Sequence, residues 1–241
     1  VLSVRNDAMR TLADRRLSRR VLVGELPLPG GIVGHWVSLD VSGSSVALWP
    51  DRSGFGLDMT QSSSDMRPAL TPNGIGSRQV VTFDGSNDYL LGPSLPPAQS
   101  SLSVVGVVRH HNVDTAQRAF FGGNDSGRAG PAIYTEGGVW RMFAGDNLVS
   151  SIPVTSDWVV ASGVWSSGTG VLRVGTETAI GAVGTRPIIV PRIGAYGNNN
   201  TNFVGPWDGD IAEIVFWMRA LSSVELEEAH SALASKYGLA S

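Results

Sequence analysis

Tyr196, Asn198, Asn199, Asn200, Phe203 and Trp207 gather ring faces and side-chain amides in one short stretch. That combination can hold a sugar, with ring faces against its apolar C–H surface and amides against its hydroxyls. An ordinary Asn-rich polar loop has the same composition, so the sugar reading competes with a plain turn. Asp84, Asn87 and Asp88 stand in a Phe-Asp-Gly-Ser-Asn-Asp turn, with Asp51 as a further oxygen donor. Their oxygens suit calcium, a hard cation that takes about six to eight such ligands. The same side chains also make Asx turns that hold a hairpin, and the spacing favours that role.

Patterns for catalysis are missing. Glycoside hydrolysis needs two carboxyl groups on one wall, about 5 Å apart for retention and further for inversion. The nearest arrangement is Asp208-Gly-Asp210-Ile-Ala-Glu213, in which strict strand alternation puts Glu213 on the face opposite Asp208 and Asp210. His35, His110, His111 and His230 show no metal-ligand spacing, no Gly-x-Ser-x-Gly elbow is present, and the Gly-rich loops lack the Lys-Ser/Thr of a phosphate loop. A non-enzymatic protein is expected.

The third chemical feature is basic. Arg5, Arg10, Arg15, Arg16, Arg19 and Arg20 face only Asp7 and Asp14, while Met9, Leu12, Ala13 and Leu17 recur at helical spacing. Residues 1–31 are therefore expected to form a basic helical arm with a Pro/Gly linker, closed by Gly24, Pro27 and Pro29. One reading packs that helix on its own domain with arginines in water. The other uses Arg10, Leu12, Arg15, Arg16, Leu17, Arg19 and Arg20 to dock onto another chain, since arginine binds carboxylates through a planar fork. Nucleic acid is not expected, because no aromatics interleave the basic residues.

The elements that would position these groups are mostly strands. Expected strands are Gly34–Leu39, Ala47–Trp49, Gln79–Phe83, Ser101–Arg109, Arg118–Gly122, Pro131–Tyr134, Val139–Ala144, Trp158–Trp165, Gly170–Val174, Ile188–Ile193 and Gly209–Met218. Trp36, Trp49, Trp158, Trp165 and Trp217 lie in or beside them and are read as core. Glycine-rich segments such as Gly137-Gly138 separate them as turns. Within the body of the domain one helix is expected, from Ser222 to Tyr237: Ser222 and Glu225 form a capping box, Leu226, Ala229, Leu233 and Tyr237 an apolar stripe, and Gly238 the stop.

Composition agrees with a folded all-β domain over residues 32–241. Hydrophobic residues make up 42% and charged residues 16%, which disfavours disorder, and the net charge of -3 implies no global electrostatic partner. There is no cysteine, which excludes disulfides, thiolate catalysis and Cys-bound zinc. No apolar run reaches the roughly 18 residues of a membrane span, and no apolar segment of signal-peptide type follows the Arg-rich start, so neither membrane insertion nor secretion by that route is expected.

A family resemblance can now be placed on particular residues. Trp49-x-Asp51-x-Ser53-Gly54-x-Gly56, Thr60-Gln61, Arg67-Pro68, Asn73-Gly74-Ile75-Gly76, Phe83-Asp84-Gly85, Asp88 and Leu90 resemble the opening of laminin-G-like, concanavalin A-like lectin/glucanase domains found in phage and bacterial surface proteins. Gly209-x-Ile211-Ala212-Glu213-Ile214, Arg219-Ala220-Leu221-Ser222 and Lys236-Tyr237-Gly238 resemble their closing strand and helix. The resemblance implies a jelly-roll β-sandwich, and departs from the glucanase members, which carry Glu-x-Asp-x-Glu. It implies a non-enzymatic structural or decoration protein of a tailed-phage virion, docked through its arm to other virion proteins or to its own copies and touching host glycans. The alternative it implies is a carbohydrate-binding module at the bacterial cell surface or outside the cell. Neither role calls for a cofactor beyond calcium.

Overall fold

The computed structural model describes residues 27–95, 100–125, 127–197 and 203–240. The first strands are β1 (Gly34–Val37), β2 (Leu48–Trp49), β3 (Met59–Thr60), β4 (Ala69–Ile75), β5 (Arg78–Asp84), β6 (Leu90–Leu91), β7 (Leu102–His110), β8 (Arg118–Asp125) and β9 (Arg128–Ala129). There follow β10 (Ala132–Glu136), β11 (Val139–Phe143), β12 (Asn147–Pro153), β13 (Val159–Ser166), β14 (Thr169–Val174), β15 (Glu177–Ala182), β16 (Val190–Ile193), β17 (Asp208–Trp217) and the helix α1 (Ser223–Tyr237). Every strand expected from sequence and the expected C-terminal helix are present, the expected arm helix lies largely outside the described residues, and all strand pairs are antiparallel.

The first sheet has eight strands in the order β15-β14-β13-β7-β17-β5-β4, with β1 also on β17. The second has nine, in the order β12-β11-β10-β8-β16-β6-β3-β2, with β9 on β8. Alternation aims Val81, Phe83, Val104, Val108, Ile211, Ile214 and Phe216 of the first sheet at Met59, Leu90, Phe120, Phe121, Ile133, Trp140 and Met142 of the second, all essentially without solvent exposure. Trp36, Trp49, Trp165 and Trp217 are buried as expected, whereas Trp158 is only half-buried, with Arg109 over its ring at 5.1 Å.

The outward side of the first sheet has its own apolar layer. Val80, Val105, Val107, Val160, Ala212, Val215 and Trp217 receive Leu226, Ala229, Leu233 and Tyr237 of α1. The helix is fixed at both ends, because Ser222 and Glu225 make the reciprocal capping box and Gly238 closes it in the left-handed conformation at φ 68°. Residues Pro27–Gly31, assigned from sequence to the arm, lie against this same layer. Trp217 Nε1 donates to the Pro29 carbonyl at 3.2 Å, Arg219 donates to the Gly30 carbonyl at 2.8 Å, and Leu28 and Ile32 pack on the cluster.

One glycine in the core has no substitute. Gly194 sits at φ +84°, and a Cβ there would come within 2.1 Å of the buried Phe83 ring. Gly194→Ala is expected to destabilise the domain by about 1–3 kcal/mol through overpacking. Urea unfolding of the variant beside the parent checks this.

Candidate functional site

Of the two outward faces, that of the first sheet is occupied. Helix α1 and Pro27–Ile32 cover much of it, and its acidic groups are engaged. Strict alternation is broken at Ala212, where a register shift in β17 between Ile211 and Glu213 returns Glu213 to the outward side. The sequence expectation that Glu213 lies opposite Asp210 is thereby corrected. Asp210 accepts from Thr82 Oγ1 at 2.6 Å, from Arg109 Nε at 3.1 Å and stands 3.0 Å from His111 Nε2, while Asp208 accepts from Asn112 Nδ2 at 2.8 Å. Glu213 meets His35 Nε2 at 2.7 Å, the Tyr237 hydroxyl at 2.8 Å and Lys236 Nζ at 2.8 Å. Burial alone would raise the Glu213 carboxyl, but the His35 hydrogen bond and the Lys236 charge outweigh it and hold the pKa at about 2. These carboxylates fasten strands and helix together.

The outward face of the second sheet is built differently. Because Met59, Leu90 and Ile193 point into the core, their neighbours Thr60, Leu91 and Arg192 point out. Register aligns them across the sheet: Thr60 lies opposite Leu91, Leu91 opposite Arg192, and Arg192 opposite Gly122. Gly122 lacks a side chain because Tyr196 lies on it; a Cβ there would meet Tyr196 Cβ at 2.4 Å. Arg192 is fully buried, with its guanidinium carbon 5.9 Å from the centre of the Tyr89 ring. Tyr89 in turn lies against Phe203 with ring centres 4.9 Å apart. Further along, Tyr134 and Tyr196 face each other at 5.9 Å, and the Tyr134 hydroxyl donates to Asn147 Oδ1 at 2.7 Å. Burial pushes the Tyr196 hydroxyl up to about 12.

Beside Tyr89 opens a pocket of about 440 Å³ lined by Ala47, Thr60, Gln61, Ser62, Arg67, Tyr89 and Leu91, within the size range of small-molecule sites. Its frame is fixed by hydrogen bonds. Gln61 Nε2 donates to the Tyr89 carbonyl at 3.0 Å, Ser63 N donates to Gln61 Oε1 at 3.1 Å, and Arg67 donates to the carbonyls of Gln61 at 2.8 Å and Ser62 at 2.9 Å. The arrangement offers a ring, hydroxyls and a guanidinium edge on a rigid floor, which is a surface for a polyhydroxylated ligand.

The structure sorts the residues singled out from sequence. Phe203 and Tyr196 do reach this face, in its two halves, and the backbones of Tyr196 and Val204 bond each other at 2.7 and 3.2 Å to close the loop base. Asn198, Asn199 and Asn200 lie outside the described residues, as do the arm positions Arg10, Leu12, Arg15, Arg16, Leu17, Arg19 and Arg20. Trp207 does not belong to the surface. Its side chain is wholly buried against His110 at 4.0 Å and Phe120 at 5.8 Å, so it has no face to give a sugar. Tyr89, Thr60, Gln61 and Arg67 were the residues that pattern reading left without a role.

In the candidate calcium turn, one oxygen of each carboxylate is engaged in hydrogen bonds that hold the turn. Asp84 Oδ1 accepts from the backbone of Ser86 at 2.8 Å and Asn87 at 3.3 Å, Asp88 Oδ2 accepts from Asp84 N at 3.0 Å, and Asn87 Nδ2 donates to the Asp65 carbonyl at 3.0 Å. This is the Asx-turn arrangement. Asp51 belongs to another loop, where its carboxylate accepts from His35 N, Ser53 and Leu57 N. Burial, with the Asp84 charge beside it, raises Asp88 to about 6 against the backbone bond that favours its ionised form. Among the described residues, no group of three or more His, Cys, Asp or Glu is placed to hold a metal.

Comparison with known proteins locates the architecture. No protein-family model matches the chain, and neither does any curated protein. Among solved structures, Trypanosoma rangeli sialidase in complex with sialic acid superposes with a TM-score of 0.63 at 14% identity, over 95% of this chain and 38% of that one. Domain 4 of AbnA, an extracellular GH43 arabinanase from Geobacillus stearothermophilus, in complex with arabinotriose, gives 0.60 at 15% identity, over 83% of this chain and 98% of that domain. The fold is a concanavalin A-like jelly-roll sandwich. The botulinum neurotoxin serotype D binding domain gives 0.59 at 10% identity, over 84% of this chain and 51% of that one. The chain thus spans about 38% of the sialidase's length.

Proposed function

We propose that this jelly-roll sandwich is a non-enzymatic carbohydrate-binding domain whose ligand lies on the outward face of the second sheet, beside Tyr89. The observation that carries the reading is the contrast between the two faces. One is largely covered by α1, and the carboxylates of Asp208, Asp210 and Glu213 on it are paired. The other presents a half-buried tyrosine stacked on Phe203 at the rim of a polar pocket of about 440 Å³. Sugars bind such places by laying C–H surface against aromatic edges and faces and exchanging hydrogen bonds with nearby hydroxyls, amides and guanidinium groups. That an architecturally similar domain is seen with arabinotriose supports the ligand class.

A glycan array followed by calorimetry on the best hit tests this. Tyr89→Ala is expected to weaken binding by about tenfold or more, equivalent to roughly 1.4 kcal/mol, while the unfolding transition stays cooperative. Unchanged affinity in Tyr89→Ala would remove the site from this face.

A second reading is favoured by the anchoring of Pro29 and Gly30 through Trp217 and Arg219. Fastened there, the chain leaves the sandwich from a fixed point, as suits a module joined to neighbouring subunits through its basic N-terminal segment. Placement in a virion or at a bacterial cell surface draws its support from sequence resemblance. Light scattering on the full chain beside one starting at Pro27 tests the docking reading; equal monomeric masses would count against it.

A further inference from the structure

The proposed sugar site carries a sign of charge. The chain has a net charge of -3, yet the outward side of the second sheet collects Arg67, Arg141, Arg186 and Arg192. Arg141 is taken by Glu136 at 2.9 Å, and Arg186 lies over the Phe143 ring at 5.3 Å while donating to the Ala129 carbonyl. Arg192 is a fully buried cation beneath Tyr89. No carboxylate is among the residues that line the pocket.

Arg67 is the cation with an edge to spare. Its Nε and one terminal nitrogen are held by the carbonyls of Gln61 and Ser62, both neutral acceptors. Those bonds fix the plane of the guanidinium without consuming its charge, and among the described residues Nη1 has no acceptor. A fork fixed in this way loses little freedom when an anion arrives. An open guanidinium edge meets a carboxylate in a planar two-point contact and can meet sulfate or phosphate oxygens in the same way, so the sulfated sugar used below separates the two.

We propose that the ligand of this site is an acidic saccharide, its ring against the pocket-facing edge of Tyr89 and its carboxylate meeting Arg67. The assignment rests on the carbohydrate reading given above and narrows it from sugars in general to uronic-acid-type sugars. Charge-assisted hydrogen bonds are about twice as strong as neutral ones, so the carboxylate supplies discrimination against neutral sugars of the same shape.

Calorimetry with trigalacturonic acid, its methyl ester and a sulfated neutral disaccharide tests it, in about 20 mM and about 200 mM salt, conditions that differ strongly in screening. The acid is expected to bind at least about tenfold tighter than the ester at low salt, with the gap narrowing at high salt. Arg67→Gln is expected to lower acid affinity to that of the ester, and Arg67→Lys to keep part of the difference. Should Arg67→Gln misfold, the acid–ester comparison on the unaltered protein still decides. Equal binding of acid and ester would overturn the acidic-saccharide assignment and leave carbohydrate binding intact. Binding of the sulfated sugar alone would overturn the carboxylate. Failure of all three, together with an empty glycan array, would overturn the carbohydrate reading itself.

Discussion

Glu213→Ala is expected to lower the unfolding free energy by about 3–5 kcal/mol, among the largest effects of any single substitution in this domain. The residue is 1% exposed and its carboxylate is shared by His35 from β1 and by Lys236 and Tyr237 from the end of α1. Removing it takes from the Lys236 ammonium, whose side chain is only 10% exposed, a carboxylate at 2.8 Å, and from the Tyr237 hydroxyl an acceptor at 2.8 Å. An uncompensated buried charge costs more than the intact pair contributes. The double variant Glu213→Leu/Lys236→Met is therefore expected to recover most of the loss, because it removes both charges together. Urea denaturation of the two variants checks the expectation. A loss below about 1 kcal/mol for Glu213→Ala would mean the pair is solvated and α1 is held by its apolar stripe alone.

That network also shows where sequence reasoning stopped. The strands and α1 were legible because their patterns are strong: β7, β13 and β17 carry runs of buried Val, Ile and aromatic residues, and α1 carries both caps. The strands that went unread are largely β4, β12 and β15, which stand at the ends of the two sheets. An end strand buries little, so its sequence lacks an apolar run. β4 even contains Pro72, which an edge tolerates and a central strand does not. The bulge at Ala212 was illegible for a different reason. It arises where β17 changes its partner from β5 to β1, a property of the sheet and not of the local sequence.

The candidate site was half legible. Phe203 and Tyr196 were found from their polar loop, but Tyr89 was not, because its stacking partner lies far along the chain and nothing local announces the pair. The adjacent Thr60-Gln61 and Arg67 fell within the motifs that carry the family resemblance, where they read as framework. Trp207 misled for the opposite reason. It sits near the Asn-rich loop in sequence, while its backbone N–H donates to the Gly194 carbonyl at 2.9 Å and draws the ring into the core.

The domain is further expected to lose stability steadily as pH falls from about 6.5 towards 4, well before its exposed carboxylates titrate. Burial lowers both His110 and His230 from 6.5 to about 4, so the rings stay neutral in the fold and gain protons on unfolding. Their contribution is full above the unfolded value of about 6.5 and is lost as pH falls through the window to about 4, worth about 2 to 3 kcal/mol per ring near its lower end. Asp88, raised to about 6, works in the opposite direction below that pH, since the folded state then holds the extra proton. Glu213 enters only below the ordinary glutamate range, as its folded value of about 2 is approached. His230 isolates the effect. It is fully buried among the α1 residues that pack on the sheet, and neither ring nitrogen has a hydrogen-bond partner among the described residues. His230→Leu keeps apolar volume and removes the titrating group, so its stability at pH 7 should equal or exceed the parent's and its loss between pH 7 and 4.5 should be smaller by about 2 to 3 kcal/mol. Denaturation curves at the two pH values decide; parallel losses in parent and variant would show that His230 gains its proton without cost to the packing of α1.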